Sequence, residues 1–126
     1  MVVLSAALFA EQEVRHLDRM KNMQEMELAM STIQKGFLFD NLSVVKNGVK
    51  DLKRTAQFTE SFIKVGVKTK SGVNTHLYAK NQTDSITMLA DEIQDAFAKG
   101  DKYAAANGYL MVLSKCLSCH QTIRSW

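Results

Sequence analysis

The chain contains no proline. Nothing in its 126 residues therefore ends a helix by removing a backbone donor or clashing with the preceding turn. Glycine is sparse, with six residues, while alanine and methionine are frequent. Straight-chain residues with few breaks favour helix, and a mostly helical protein is the expectation. No apolar run approaches the ~20 residues that a membrane-spanning helix needs. Basic residues are not clustered with aromatics and no nucleic-acid motif is present, so the net charge of +3 reads as an ordinary solvated surface. No internal repeat, low-complexity segment or second domain is visible, and the length suits one domain with one core.

Four amphipathic segments emerge. The first is predicted from about Glu11 to Lys35, ending at Gly36, with Val14, Leu17, Met20, Met23, Met26, Met30 and Ile33 as its apolar stripe. Phe37-Leu38-Phe39 makes a hydrophobic corner, after which Asp40 or Asn41 can cap a second helix carrying Leu42, Val45, Val49 and Leu52. Residues 58–74 lose the helical period and hold Gly66 and Gly72, so they form the long connection, with room for a short helix or extended piece. A third helix is predicted over Asn74 to Lys99, with Tyr78, Ile86, Leu89, Ile93 and Phe97 on one side. Asp101 then caps a fourth, through Tyr109, Leu110, Leu113, Leu117 and Ile123 to the end of the chain. Four such helices joined by short, long and short connections predict an all-α, antiparallel (up-down-up-down) four-helix bundle over residues 11–126.

Residues 1–10, Met-Val-Val-Leu-Ser-Ala-Ala-Leu-Phe-Ala, are uncharged and mostly apolar. They resemble the apolar region and small-residue cleavage site of a secretory leader without its positive start, which predicts export to the periplasm. The first turns of helix 1, or an interfacial anchor, are the other readings of the same residues.

Only two cysteines occur, and both lie in Cys116-Leu117-Ser118-Cys119-His120. Cys-x-x-Cys-His is the signature of covalent haem attachment. On a helix, positions i, i+3 and i+4 share a face, so two thiols can form thioethers with the vinyl groups of one haem while His120 takes its iron. A thioredoxin-type pair normally belongs to a βαβ context, which is lacking here. A structural zinc site needs four ligands, and His16 and His76 lack the spacing to complete one. A Cys116–Cys119 disulfide would close a loop too small to add much stability.

With the motif at the C-terminal end, followed by Ile123-Arg124 and preceded by Gly100-Asp101 sixteen residues before Cys116, the chain resembles the class II c-type cytochromes, the cytochrome c′ and cytochrome c556-like family. Leu77-Tyr78 is similar to the aromatic entry to that family's third helix. The resemblance implies one covalent haem c between the helices of the bundle and no enzymatic bond chemistry. It also implies a place for Arg124 beside the haem, where it can pair with a propionate. An exposed cation favoured by the helix C-terminus is the alternative for Arg124.

The sixth iron position in that family is filled from the first helix. Counting back sixteen residues from Gly36 gives Met20, a soft thioether donor suited to electron transfer. Gly36 and Asp40 are one residue closer than the family pattern, so the count can slip to Arg19, which offers no lone pair to iron. Met23, one turn along, is the reserve ligand, and a methionine stripe is also ordinary core filling. His16 is a weaker ligand candidate one turn before Met20. The expectation is an electron carrier with His120/Met20 ligation that meets redox partner proteins. The alternative is a five-coordinate protein binding nitric oxide or carbon monoxide. Relatives are often homodimers, and Phe37-Leu38-Phe39 offers an apolar surface for that. Trp126 is expected to pack at the bundle end.

Overall fold

The computed structural model describes the backbone of residues 2–124 and, within that span, the side chains of 5–11 and 16–124. The expected role of Trp126 and the place of Val14 in its stripe lie outside the described residues. Among the described residues, four α-helices form an antiparallel bundle: α1 (Val2–Leu38), α2 (Leu42–Thr59), α3 (Thr75–Ala98) and α4 (Lys102–Arg124), with a 3-10 turn at Glu60–Phe62. α1 packs on α2, α2 on α3 and α3 on α4, whereas α1 and α4 scarcely meet. The bundle is thus closed on three sides and open on the fourth.

Three helix starts are capped, the second and fourth as predicted. Asn41 Oδ1 accepts from the Val44 amide at 3.2 Å, Asn74 Oδ1 from Leu77 at 3.0 Å, and Asp101 Oδ1 from Ala104 at 3.1 Å. Each satisfies one of the amides that a helix start leaves without a partner. Gly100 ends α3 at φ +85°, where its amide bonds Phe97 O and that of Asp101 bonds Ala96 O. Asp40, not Asn41, takes the left-handed turn between α1 and α2.

Two boundaries of α1 differ from expectation. The helix begins at Val2, because residues 2–10 contain neither glycine nor proline and α1 simply continues through them. It also runs past Gly36, which is a packing glycine rather than a stop. A Cβ there would lie 2.6 Å from Val45 Cγ2 and 2.7 Å from Val45 N. Gly48 plays the same role one turn along α2, where a Cβ would meet Ile33 N at 2.9 Å. Bare backbone at these two points brings α1 and α2 close together.

The core is built from Met26, Met30 and Ile33 of α1, Val45, Val49 and Leu52 of α2, Ile86, Leu89, Ile93 and Phe97 of α3, and Ala105 and Val112 of α4. Full burial of each large member contributes about 1.5–3 kcal/mol against leaving it in water. The corner between α1 and α2 is stitched to α3 and α4: Phe37 stacks on Phe97 of α3 with centroids 5.4 Å apart, and Lys102 of α4 pairs with Asp40 at 2.7 Å. Leu38 and Phe39 stay exposed. At the opposite end, buried Asn22 donates to Thr55 O and Thr59 Oγ1, both at 3.1 Å, where α2 finishes. Beyond Arg19, which still borders α4, α1 runs on past the bundle, and its described side chains from Ser5 to Glu11 are all exposed.

The expected stripe of α4 is only partly right. Ala105 and Val112 are its buried residues, while Leu110, Leu113 and Leu117 stand largely exposed. The reason is the open fourth side: α4 packs inward on α3 only and has no close neighbour where Leu113 faces the gap toward α1.

Candidate functional site

Where α1 and α4 part, the bundle holds a cavity of about 260 Å³ with almost wholly apolar walls. α4 contributes Leu113, Cys116, Cys119, His120, Ile123 and Arg124. The spacing of three and four residues puts the three motif side chains on the one helix face that looks into the gap. From α1 come Arg19, Met23, Met26, Glu27 and Met30, again one continuous stripe at helical spacing. Thr59 and Ile63 close one end, and Gln82, Thr83 and Ile86 of α3 form the floor.

The phase of α4 is held from outside the cavity. Ser118, between the two cysteines, shares a hydrogen bond with the hydroxyl of Tyr78 on α3. That contact turns Ser118 toward α3 and leaves its neighbours Cys116 and Cys119 on the cavity wall. Both cysteines are free thiols. Burial pushes the Cys116 thiol up to about 11, helped by the nearby Cys119, and burial likewise raises Cys119. His120 is shifted down by burial and by the positive charge of Arg124. At neutral pH the cavity therefore presents two protonated thiols and a neutral imidazole whose ring nitrogen is free of an added proton.

Met20 is not on the cavity wall. It is 45% exposed, whereas Met23 is half-buried and lines the cavity. Three residues on a helix advance about 300°, so the two methionines differ by about 60° in direction, enough to separate wall from surface. Packing of α1 on α2 through Asn22 and Gly36 sets that rotation. Arg19, reached by the one-residue slip, does line the cavity, together with Arg124. His16 lies outside it, exposed, with its Nδ1 accepting from Arg19 Nη2 at 2.9 Å. His76 is half-buried and also absent from the walls.

Several wall residues carried no signal in the sequence. Gln82 is the most informative, because its Oε1 is buried without a hydrogen-bond partner among the described residues. An unpaired acceptor in an apolar chamber costs free energy unless something in the chamber meets it. Among the described residues no three His, Cys, Asp or Glu side chains converge as a metal cage. The donor set is instead two thiols and an imidazole on one wall and thioethers on the other, with an apolar cavity between. These residues fit a flat, apolar macrocycle carrying its own metal better than a bare ion. The chain matches no known protein-family model, no curated protein and no solved structure.

Proposed function

We propose that the chain is a c-type cytochrome that carries electrons on one covalent haem held in the α1/α4 gap. The observation that carries this reading is the placement of Cys116, Cys119 and His120 together on one wall of an apolar cavity whose other wall presents Met23. Cys116 and Cys119 would hold the haem by thioethers, His120 would ligate iron from α4, and Met23 would ligate it from α1. Haem supplies reversible one-electron chemistry when bound, with a potential raised by thioether ligation and by burial.

The chain's own part is positional. Tyr78 fixes the rotation of the attachment helix through Ser118. Met26, Met30, Ile86, Leu113 and Ile123 keep the cavity dry. Arg19 and Arg124 place positive charge on its walls, where carboxylate groups of a ligand are favoured. His120, held neutral by burial and by Arg124, is in the protonation state that ligates a metal. Redox proteins are the partners this function requires, and the exported side of a membrane is the location that the apolar start of the chain favours.

The test is a set of optical spectra of protein produced with haem attachment. A red protein whose haem survives acid extraction, and whose reduced spectrum does not move under carbon monoxide, is expected. Met23→Ala should give high-spin bands and ready carbon monoxide binding, with Met20→Ala behaving as wild type. Carbon monoxide binding by the unaltered protein would instead establish the five-coordinate, gas-binding alternative. A colourless protein would end both readings.

A further inference from the structure

The end of the bundle that bears the overhang of α1 has two unusual features, and the cavity accounts for neither. The first is the overhang itself. Residues 2–10 continue α1 beyond the point where α2 ends, and Leu8 and Phe9 are 55% and 72% exposed. Ser5 is the only polar residue in this stretch, so the helix is apolar all round rather than along one stripe. A helix of that kind suits an apolar surrounding, not a one-sided protein groove. Nine residues rise about 14 Å, roughly half of a ~30 Å hydrocarbon layer, which is the depth of one leaflet. Among the described residues no helix is long and apolar enough to cross a membrane.

The second feature is the connection from α2 to α3, which the antiparallel topology puts at the same end. From Ser61 to Thr83 there is no acidic residue. Lys64, Lys68 and Lys70 are exposed, and none has an ion-pair partner among the described residues. The fourth lysine of that stretch, Lys80, is occupied by Asp84 at 2.8 Å, with Glu60 nearby. Val65 and Val67 stand exposed between the free lysines. The loop is held in shape: Thr69 N bonds Val73 O at 2.9 Å, and both the amide and the hydroxyl of Thr75 bond Val67 O at 3.0 Å. Fixed lysines alternating with exposed valines match a surface that is anionic outside and apolar beneath. The charges on α1 between these two features are mixed in sign, Glu11, Glu13 and Asp18 against Arg15, Arg19 and Lys21, so they set no preference.

We propose that this end of the protein rests on an anionic phospholipid bilayer, with residues 2–10 of α1 inserted into one leaflet and Lys64, Lys68 and Lys70 at the headgroups. An inserted apolar segment and a basic patch are two signals of the kind that together give stable membrane anchoring. The proposal is independent of the cofactor and holds for the chain with or without it.

The experiment is sedimentation of the full chain with phosphatidylcholine vesicles, alone or with about 30 mol % phosphatidylglycerol. Binding to the anionic vesicles, weakened by salt and much poorer on phosphatidylcholine alone, is expected. K64Q/K68Q/K70Q should weaken it on the order of a hundredfold at low ionic strength, from about fivefold per lysine. L8E/F9E should abolish it while the helical circular dichroism and the melting temperature stay unchanged. Equal binding to both vesicle types, or to neither, overturns the proposal. So does a concentration-dependent dimer that L8E/F9E dissolves without any vesicle binding, since a second copy would then be the occupant. N-terminal mass analysis of the protein isolated from cells supplies the last arm: retention of residues 2–10 supports the anchor, and their removal overturns it.

Discussion

Single side chains in the cavity wall set the reactivity of the site. Cys116 is the more strongly shifted thiol, because burial and the neighbouring Cys119 both oppose its ionisation. The thiolate is the reactive form, so in protein without haem Cys116 is expected to alkylate slowly at neutral pH and faster as the pH approaches 11. Peptide mass mapping after timed iodoacetamide exposure checks this, with Cys119 labelled before Cys116. Away from the site, Gly48 is a residue that cannot accept a side chain without movement, since a Cβ would press on the Ile33 backbone. Gly48→Ala is expected to destabilise the fold by about 1–3 kcal/mol, read from urea unfolding. A change below that range would mean that α1 and α2 can separate at this point without loss.

Among the elements, α1 joins two helices of different character. From Asn22 onward it is a bundle helix, buried on one side by Met26, Ala29, Met30 and Ile33. Before Asn22 it carries no core contact among its described side chains. Deleting residues 1–10 is therefore expected to change the unfolding free energy by less than about 0.5 kcal/mol, the range of ordinary surface changes. The same urea titration measures it, and a large loss would show that the overhang packs on the bundle. α2, by contrast, depends on its first turn. Asn41→Ala removes the acceptor for the Val44 amide and should cost about 1 kcal/mol.

At the scale of the whole molecule, the open α1/α4 side is the weak seam. Two groups on its wall make the stability of the haem-free chain depend on pH in opposite directions. His120 is held below its ordinary 6.5, so folding favours the neutral ring; this contribution is present above pH 6.5 and lost as the pH falls below it. Cys116 is held above its ordinary 9.0, so folding favours the protonated thiol; that contribution is present below pH 9 and lost as the pH rises through 11. Thermal melts across this range should show a plateau between the two limits, and His120→Phe should flatten the acid limb. Attachment of haem would fill the seam and join α1 to α4, and each kcal/mol gained should raise the melting temperature by roughly 3–6 °C. Calorimetry of the same chain with and without haem measures that rise.

The sequence alone determined the local features. Helix starts were legible because Asn41, Asn74 and Asp101 satisfy amides within three residues of themselves. The common face of Cys116, Cys119 and His120 was legible for the same reason, since three residues at i, i+3 and i+4 share a face in any helix. Tertiary structure alone decided which way each helix turns about its own axis. Met20 and Met23 are equivalent in composition and close in spacing, and only the packing of Gly36 on Val45 and of Asn22 on Thr55 and Thr59 turns Met23 inward. The stripe Leu110, Leu113 and Leu117 reads as core by its period, yet stays exposed because α4 lacks a neighbour on that side. Gln82 entered the cavity wall with no local signal at all. Periodicity fixes the spacing of a face along a helix, but its direction is chosen by contacts between residues far apart in the chain.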